Sequence, residues 1–570
     1  MSTSISQTTS LRPWRVAAIA VVGALALGIG ITLGSFLLNA RSSALGSAAG
    51  YVPAAAPFYA EIRVEPSGAQ DAALREFLGH FPPIEGLDLE RPLVDQMAEH
   101  FDEAVATEGA DISWSEDIAS WFDGRLAVAV LDVPTGATDP TSMEAAPPSL
   151  IMAGVTDRAA ADAAIARLLD VADAPTFTES QHAGVTIRST DEDNGGAYAL
   201  TDDQLIVGTD ADTVATAIDA HAASGDSLAG ADDRAPVAPS LPDDWLAFVS
   251  YDLTDVMEQA LAAAEAEDPE SAALLGNLIE HQSLRGSMAF TAAGDRLVLD
   301  AISSAPTGPF EVTNADRGLA DEVPANALYY SEAGNIGASM SAVIAQIKEV
   351  AVQTPEGAES VKTAEAALGA DLEELVEWID DGAMAIGWED GAPWGGLVLV
   401  PTDVGVAERR LDQLATFAGL AAMDPSMGVS VDEQEVDGMT VTTIRWADPA
   451  GGSTEMLGIP AGVAVQYAIT DDRVLIGVGE DFVARALDLD PADSLAASQR
   501  FSAAVDDMGG AESASLTWLD LAGTYAAVEE AVGSQMLGEM EAWIEPLDQV
   551  ISVTRRDGDV LIQRAALLVD

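Results

Sequence analysis

At 570 residues the chain is long enough for two or three domains, and with 48% apolar residues it has material for packed cores rather than for disorder. Its 94 acidic side chains against 25 basic ones leave a formal net charge of −69, a field that repels DNA, RNA and anionic headgroups, so nucleic acid is excluded as a partner. The lack of cysteine excludes disulfides, thiol nucleophiles, iron–sulfur clusters and cysteine-ligated zinc.

Residues 1–15 carry Arg12 and Arg15 and read as a short cytoplasmic tail. Val16 to Leu38, "VAAIAVVGALALGIGITLGSFLL", is an uncharged apolar run of 23 residues. At about 1.5 Å per residue it spans about 34 Å, enough for a bilayer core of about 30 Å. Secretory signal cores are shorter, about 7–15 apolar residues, so the run reads as an uncleaved single-span anchor, with a signal cleaved near "NARSSALGSAAG" as the alternative. Two arginines before the span against Arg41 after it place the N-terminus inside and the bulk of the chain outside the cell membrane. Gly28, Gly30 and Gly34 give small-residue spacings that could pair two such helices. A juxtamembrane linker over 39–50 follows.

From residue 51 the chain says things twice. "YVPAAAPFYAE" at 51–61 returns as "EVPANALYYSE" at 322–332, "WFDG" at 121 as "WIDDG" at 378, and "AYALTDDQLIVGT" at 197–209 as "QYAITDDRVLIGV" at 466–478. Matches in one order at nearly constant offset mean internal repetition. They divide the chain into repeats over 51–303 and 322–570 with a linker over 304–321. A Gly- and Pro-rich insert after Trp446, "ADPAGGSTEMLGIPAG", reads as a surface loop.

In chain order, the first repeat predicts a strand at "PFYAEIRV", helices at "DAALREFLGHF" and "RPLVDQMAEHFDEAVA", then strands at "GRLAVAVLDV" and "SLIMAGV". Asp157 suits the N-cap of a helix over "DRAAADAAIARLLDVA", and Asp210 that of "ADTVATAIDAH". Hairpin strands run through "GVTIRS" and "AYALTDDQLIVGT"; strand "WLAFVSYDL", a helix over 253–280 and the hairpin "RGSMAFTAAGDRLVLDAI" complete the unit. Paired strands with turn-length gaps predict an α+β fold: two tandem repeats of antiparallel sheet with packed helices, after one transmembrane helix.

The polar residues favour structural roles. Asp202-Asp203 and Asp471-Asp472 sit where tight turns are needed, and Asp bonds nearby backbone amides there. His80, His100, His182, His221 and His281 all fall in the first repeat, with no H-E-x-x-H arrangement. Neither Lys348 nor Lys362 follows glycine, so no P-loop exists, and G-x-S-x-G and S-x-x-K are absent. "DEDNGGAYALTD", from Asp191 to Asp202, has the length of a calcium loop, but Gly195 and the terminal Asp depart from that pattern, so it reads as a solvated turn. Trp121, Trp378, Trp245 and Trp518 read as anchors under a sheet, with an aromatic platform for glycan as the functional alternative. No catalytic, cofactor-binding or metal-ligating residue is assigned, and no cofactor is implied.

The stretch from "YVPAAAPFYAEIRVEPSGAQDAALREFLGHFP" to "WFDGRLAVAV" resembles an uncharacterised bacterial family catalogued as domain of unknown function 3352. The resemblance implies one N-terminal anchor and a large exported region, and brings no catalytic residues. The expected function is a membrane-anchored, extracytoplasmic, non-enzymatic binding or scaffold module at the cell envelope, with an envelope protein or lipid as partner. A carrier of an apolar ligand such as lipid is the alternative, and an extracytoplasmic carboxylate and divalent-cation hydrolase a second one.

Overall fold

The computed structural model describes residues 46–84, 86–107, 112–133, 147–171, 176–190, 196–223, 225–230, 241–267, 272, 276, 279, 284–389, 391–424, 428–446, 464–479, 482–510, 512–532, 538 and 541–570. The expected anchor over 16–38, His281, the acidic run 191–195 and the insert after Trp446 lie outside the described residues. Among the described residues no helix is long and apolar enough to cross a membrane. The chain divides into two compact units, Met1–Ala260 with Leu284–Ser303, and Leu261–Ser283 with Ser304–Asp570.

Unit 1 is a mixed antiparallel sheet with helices. Its elements are β1 (Phe58–Arg63), α1 (Gly68–Leu78), α2 (Leu93–Thr107), β2 (Phe122–Val130), β3 (Ser149–Val155), α3 (Arg158–Val171), β4 (Phe177–His182), β5 (Val185–Thr190), β6 (Ala197–Leu200), β7 (Gln204–Gly208), α4 (Ala211–Ala222), β8 (Ala247–Asp252), the first half of α5 (Thr254–Glu267), which passes into unit 2 at Leu261, β9 (Arg285–Ala292) and β10 (Arg296–Ser304). The strand order is β4-β5-β6-β7-β3-β2-β1-β8-β9-β10, antiparallel throughout. The helix expected over 253–280 is described as far as Glu267.

Local chemistry accounts for several boundaries. Asp157 Oδ1 accepts the N–H groups of Ala159 and Ala160 at 2.9 and 3.1 Å, and Asp210 Oδ1 accepts that of Thr213 at 2.7 Å, so orphan donors at both helix starts are satisfied. Between β6 and β7, Thr201 Oγ1 accepts the Gln204 N–H at 3.0 Å and closes the Asp202-Asp203 turn. One sheet face buries Tyr59, Ala127, Leu150, Met152 and Ile206 against Val214 and Ile218 of α4. Each fully buried aliphatic side chain there contributes about 1.5–3 kcal/mol.

Unit 2 comprises β11 (Ala315–Asp316), β12 (Ala327–Ala333), α6 (Ile336–Ala351), α7 (Pro355–Leu368), β13 (Ile379–Glu389), β14 (Ala392–Pro401), α8 (Val404–Ala422), β15 (Val429–Val436), β16 (Met439–Trp446), β17 (Ala464–Ile469), β18 (Val474–Val478), α9 (Phe482–Leu487), α10 (Gln499–Asp507), β19 (Glu512–Ser513), β20 (Ser515–Asp520), α11 (Leu521–Val532), α12 (Glu541–Ile544), β21 (Leu547–Asp557) and β22 (Val560–Val569). Beside the short β11–β19 pair, the order is β15-β16-β17-β18-β14-β13-β12-β20-β21-β22. It corresponds strand for strand to the order in unit 1. In β2 the register slips between Phe122 and Leu126, in β13 between Ile379 and Gly382, so both strands carry an irregularity directly after their tryptophan.

Candidate functional site

The most unusual polar group of each unit is a buried glutamate on its central strand. In unit 1, Tyr59 and Glu61 stand two apart on β1 and so share a face. Glu61 is 1% exposed. Its Oε2 accepts the Tyr59 hydroxyl and the Gly46 N–H, both at 2.8 Å. Arg125 of β2 approaches Oε1 at 3.6 Å. Asp123, carried by the irregular start of β2, lines the same crevice. Its carboxylate lies where a Cβ on Gly154 would be, 2.1 Å away, so this approach requires glycine at 154.

That crevice also includes Ser47 and Gln204, and it has no room for a water-sized sphere. The Gln204 Nε2 donates to Ser47 Oγ at 2.5 Å. Glu61 Oε1 and Gln204 Oε1 are both buried without a hydrogen-bond partner among the described residues. Burial raises the Glu61 pKa from its ordinary value, opposed by the bonds from Gly46 and Tyr59 and by Arg125. Burial likewise raises Asp123, and burial followed by the Asp123 charge raises Glu65. The Tyr59 hydroxyl is pushed far up by burial and by the Glu61 charge.

Glu61 holds down a strap. Residues Ser47–Tyr51 form a 3-10 turn in which Ala48, Ala49 and Tyr51 are buried. The Tyr51 hydroxyl donates to Asp203 at 2.6 Å, and its ring stacks on His221 with centroids 4.0 Å apart. Backbone bonds from Leu228 N–H to Val52 O and from Ala229 N–H to Ala49 O close it from the other side.

Unit 2 has the same device with other residues. Glu332, 1% exposed, accepts the Tyr330 hydroxyl at 2.5 Å and the Leu319 N–H at 3.2 Å. Burial raises its pKa too. The 3-10 turn Leu319–Glu322 is fastened by Leu495 N–H to Val323 O and Ala496 N–H to Ala320 O. Here the cation is Arg317, whose side chain is fully buried; it lies 3.9 Å from Glu332 and 3.3 Å from Asp381 and donates to Ser513 O at 2.8 Å. Arg473 donates to Glu322 at 2.8 Å. The ends of the expected linkers, 46–50 and 317–321, are therefore packed parts of the units.

The described residues among those singled out by sequence make local contacts. Asp202 pairs with the exposed Arg158 at 2.8 Å, and Asp472 with Arg473 at 2.9 Å. His80 and His100 face backbone carbonyls of Phe77 and Gly86, and His182 meets Asp219 at 2.7 Å. No group of three or more His, Asp or Glu among the described residues is placed to hold a metal ion. Trp121, Trp245, Trp378 and Trp518 are each at most 4% exposed, so none offers an open ring face to a sugar. Trp121 O and Trp378 O each accept both the N–H and hydroxyl of a threonine, Thr156 and Thr402. Lys348 bonds Glu365 and Glu373 at 2.5 and 3.0 Å. Sequence reasoning passed over Tyr59, Glu61, Tyr330 and Glu332, although the Tyr-x-Glu spacing is shared by "PFYAE" and "LYYSE".

The second well-formed crevice, about 250 Å3, is open and polar, lined by Asp88, Arg91, Glu99, His100 and Glu103 among others. Arg91 there is clamped by Glu99 through two bonds of 2.8 and 2.6 Å. General acid–base work needs a substrate within about 3 Å of the acid or base. The Glu61 crevice has no room for one, and Glu61 there is bonded to the strap through Gly46.

A family model described as "Protein of unknown function (DUF3352)" matches residues 15–558, and the chain belongs to that family. No curated protein matches it. A solved structure, crystal form I of TP0453, aligns over 78% of this chain and 98% of its own at 7% identity, with a TM-score of 0.17, which carries nothing about function.

Proposed function

We propose that the chain is a single-pass, extracytoplasmic scaffold that binds an envelope protein through unit 2, anchored by residues 16–38 with its N-terminus in the cytoplasm. It is built from two homologous repeats, 51–303 and 322–570, joined over 304–321; the matching strand orders and matching straps support their homology. The observation that carries the binding role is on α6. Met340, Val343 and Ile347, on one face at successive turns, are 43, 40 and 59% exposed. Phe417, Leu420 and Met423 at the end of α8 are exposed as well. Clustered exposed apolar side chains mark interaction surfaces more than scattered ones do. The net charge of −69 disfavours anionic lipid as what covers them and leaves a protein partner. A lipid carrier would need an apolar cavity, whereas the two best-formed crevices among the described residues are lined by charged groups.

The test is photo-crosslinking in native membranes from position 347, with position 362 on α7 as control, followed by native mass spectra of the chain released in high salt. The expected result is one discrete protein adduct from 347, none from 362, and a bare protein mass after release. Retained lipid mass with no adduct supports the carrier reading and defeats the scaffold.

A further inference from the structure

The two straps differ at their fastening points, and the difference singles out unit 1. Where unit 2 places Arg317 beside Glu332 and Arg473 beside Glu322, the corresponding residues of unit 1 are Gly46 and Gln204. Gly46 brings an N–H and no charge, and a Cβ there would stand 2.2 Å from Glu61 Oε1. Among the described residues two acceptors, Glu61 Oε1 and Gln204 Oε1, are left buried without a hydrogen-bond donor in one crevice with the Asp123 carboxylate. Unit 2 bonds its strap through the Arg473 guanidinium on Glu322; in unit 1 Arg125 stands 3.6 Å from Glu61 Oε1 without a hydrogen bond, and the crevice is too small for water. What fits is a proton.

The geometry points to Glu61 as a proton-operated latch for residues 46–52. With Glu61 protonated at Oε1, a neutral acid replaces a poorly compensated anion, and its O–H faces a crevice that offers an unmet acceptor. Oε2 still accepts from Gly46 and Tyr59. With Glu61 ionised, its charge faces Asp123 of β2, with Glu65 beyond β1 and Asp203 of the β6–β7 turn nearby; the opposing cations are Arg125 of β2 and Arg63 of β1. The folded state raises the proton affinity of Glu61, so the fastening is strongest below the carboxylate's unfolded pKa of about 4.3 and weakens as pH rises through the raised folded value. Because only residues 39–45 separate the strap from residues 16–38, the latch acts where the anchored reading tethers unit 1; that consequence rests on the proposed function, whereas the latch itself does not.

The test is amide hydrogen exchange on the full chain in detergent at pH 5 and pH 8, corrected for intrinsic exchange rates. Protection of 46–52 is expected to fall by up to about tenfold for each unit by which the folded Glu61 pKa lies above 5, while 317–323 changes by less. Glu61→Gln should hold protection at pH 8 near the pH 5 value of the natural chain. Should that variant fail to fold, Asp123→Asn removes one neighbouring anion and should shrink the fall. Equal protection of 46–52 at both pH values, a Glu61→Gln chain that loosens as the natural one does, or an unchanged fall in Asp123→Asn overturns the latch. None of these outcomes depends on membrane attachment, which crosslinking tests separately.

Discussion

The straps of units 1 and 2 do one job with different electrostatics. Both present a tyrosine and a glutamate two residues apart on the central strand, and both use the glutamate to catch a backbone N–H of a 3-10 turn. In unit 2 the charge is met by Arg317, which is itself bonded to Asp381 and Ser513. In unit 1 the nearest cation, Arg125, stands at 3.6 Å and is partly exposed. Backbone topology is therefore common to the two units, while the charge compensating the buried carboxylate is local. A buried ion pair is weak evidence of stability, yet removing one partner leaves an uncompensated charge and is costly.

The largest expected effect tests that asymmetry. Arg317→Ala should destabilise unit 2 by about 3–5 kcal/mol, because Glu332 and Asp381 lose their shared buried cation. Arg125→Ala should cost clearly less in unit 1, its side chain being 35% exposed. Denaturant unfolding of the two variants, followed by a probe in each unit, gives the comparison; equal losses would break it. Next comes Gly46→Ala. Its methyl group would meet Glu61 Oε1 at 2.2 Å, and such overpacking typically costs about 1–3 kcal/mol. Exchange protection of 46–52 should drop with little change at 317–323. Removing the tyrosine hydroxyls comes third. Tyr59→Phe and Tyr330→Phe each delete a buried donor to a carboxylate, worth about 1.5–3 kcal/mol. The loss should be greater for Tyr59→Phe, whose glutamate faces a partly exposed, more screened cation, and thermal unfolding of the two reads the difference.

Much of the fold was legible because local rules and tertiary structure agree. "SLIMAGV" is β3 from end to end, and the Asp-Asp turns sit between apolar runs at positions where only a tight hairpin closes the register. The caps at Asp157 and Asp210 were legible for the same reason. β4 was harder. Its "FTESQH" is almost wholly exposed, so it has no buried alternation to betray a strand. The straps were illegible in kind: 46–50 and 317–321 are Gly-, Ala- and Asp-containing segments that look like linkers. Their order comes from backbone bonds to residues such as Leu228 and Leu495, nearly 180 positions away. The buried glutamates were masked by composition, since among 94 acidic residues nothing local marks Glu61 and Glu332 as the most enclosed. Only the repeated Tyr-x-Glu spacing could have marked them.

The smallest expected effect is where the two units should behave alike. Thr156-Asp157 and Thr402-Asp403 follow corresponding strands, each threonine bonding the carbonyl of its unit's tryptophan and each aspartate capping the helix that follows. Asp157 Oδ1 accepts from two N–H groups and Asp403 Oδ1 from the N–H of Val406 at 3.0 Å. Replacing either with Ala removes one exposed N-cap, a loss of about 1 kcal/mol. No buried charge is involved at either place, so the electrostatic asymmetry of the straps has no route to these caps. Equal shifts in the denaturant midpoint for Asp157→Ala and Asp403→Ala would confine the divergence of the units to their buried carboxylates. A difference above about 1 kcal/mol, the whole usual worth of a cap, would show that the units differ in overall rigidity, and the Arg317 comparison would then need reading against that background.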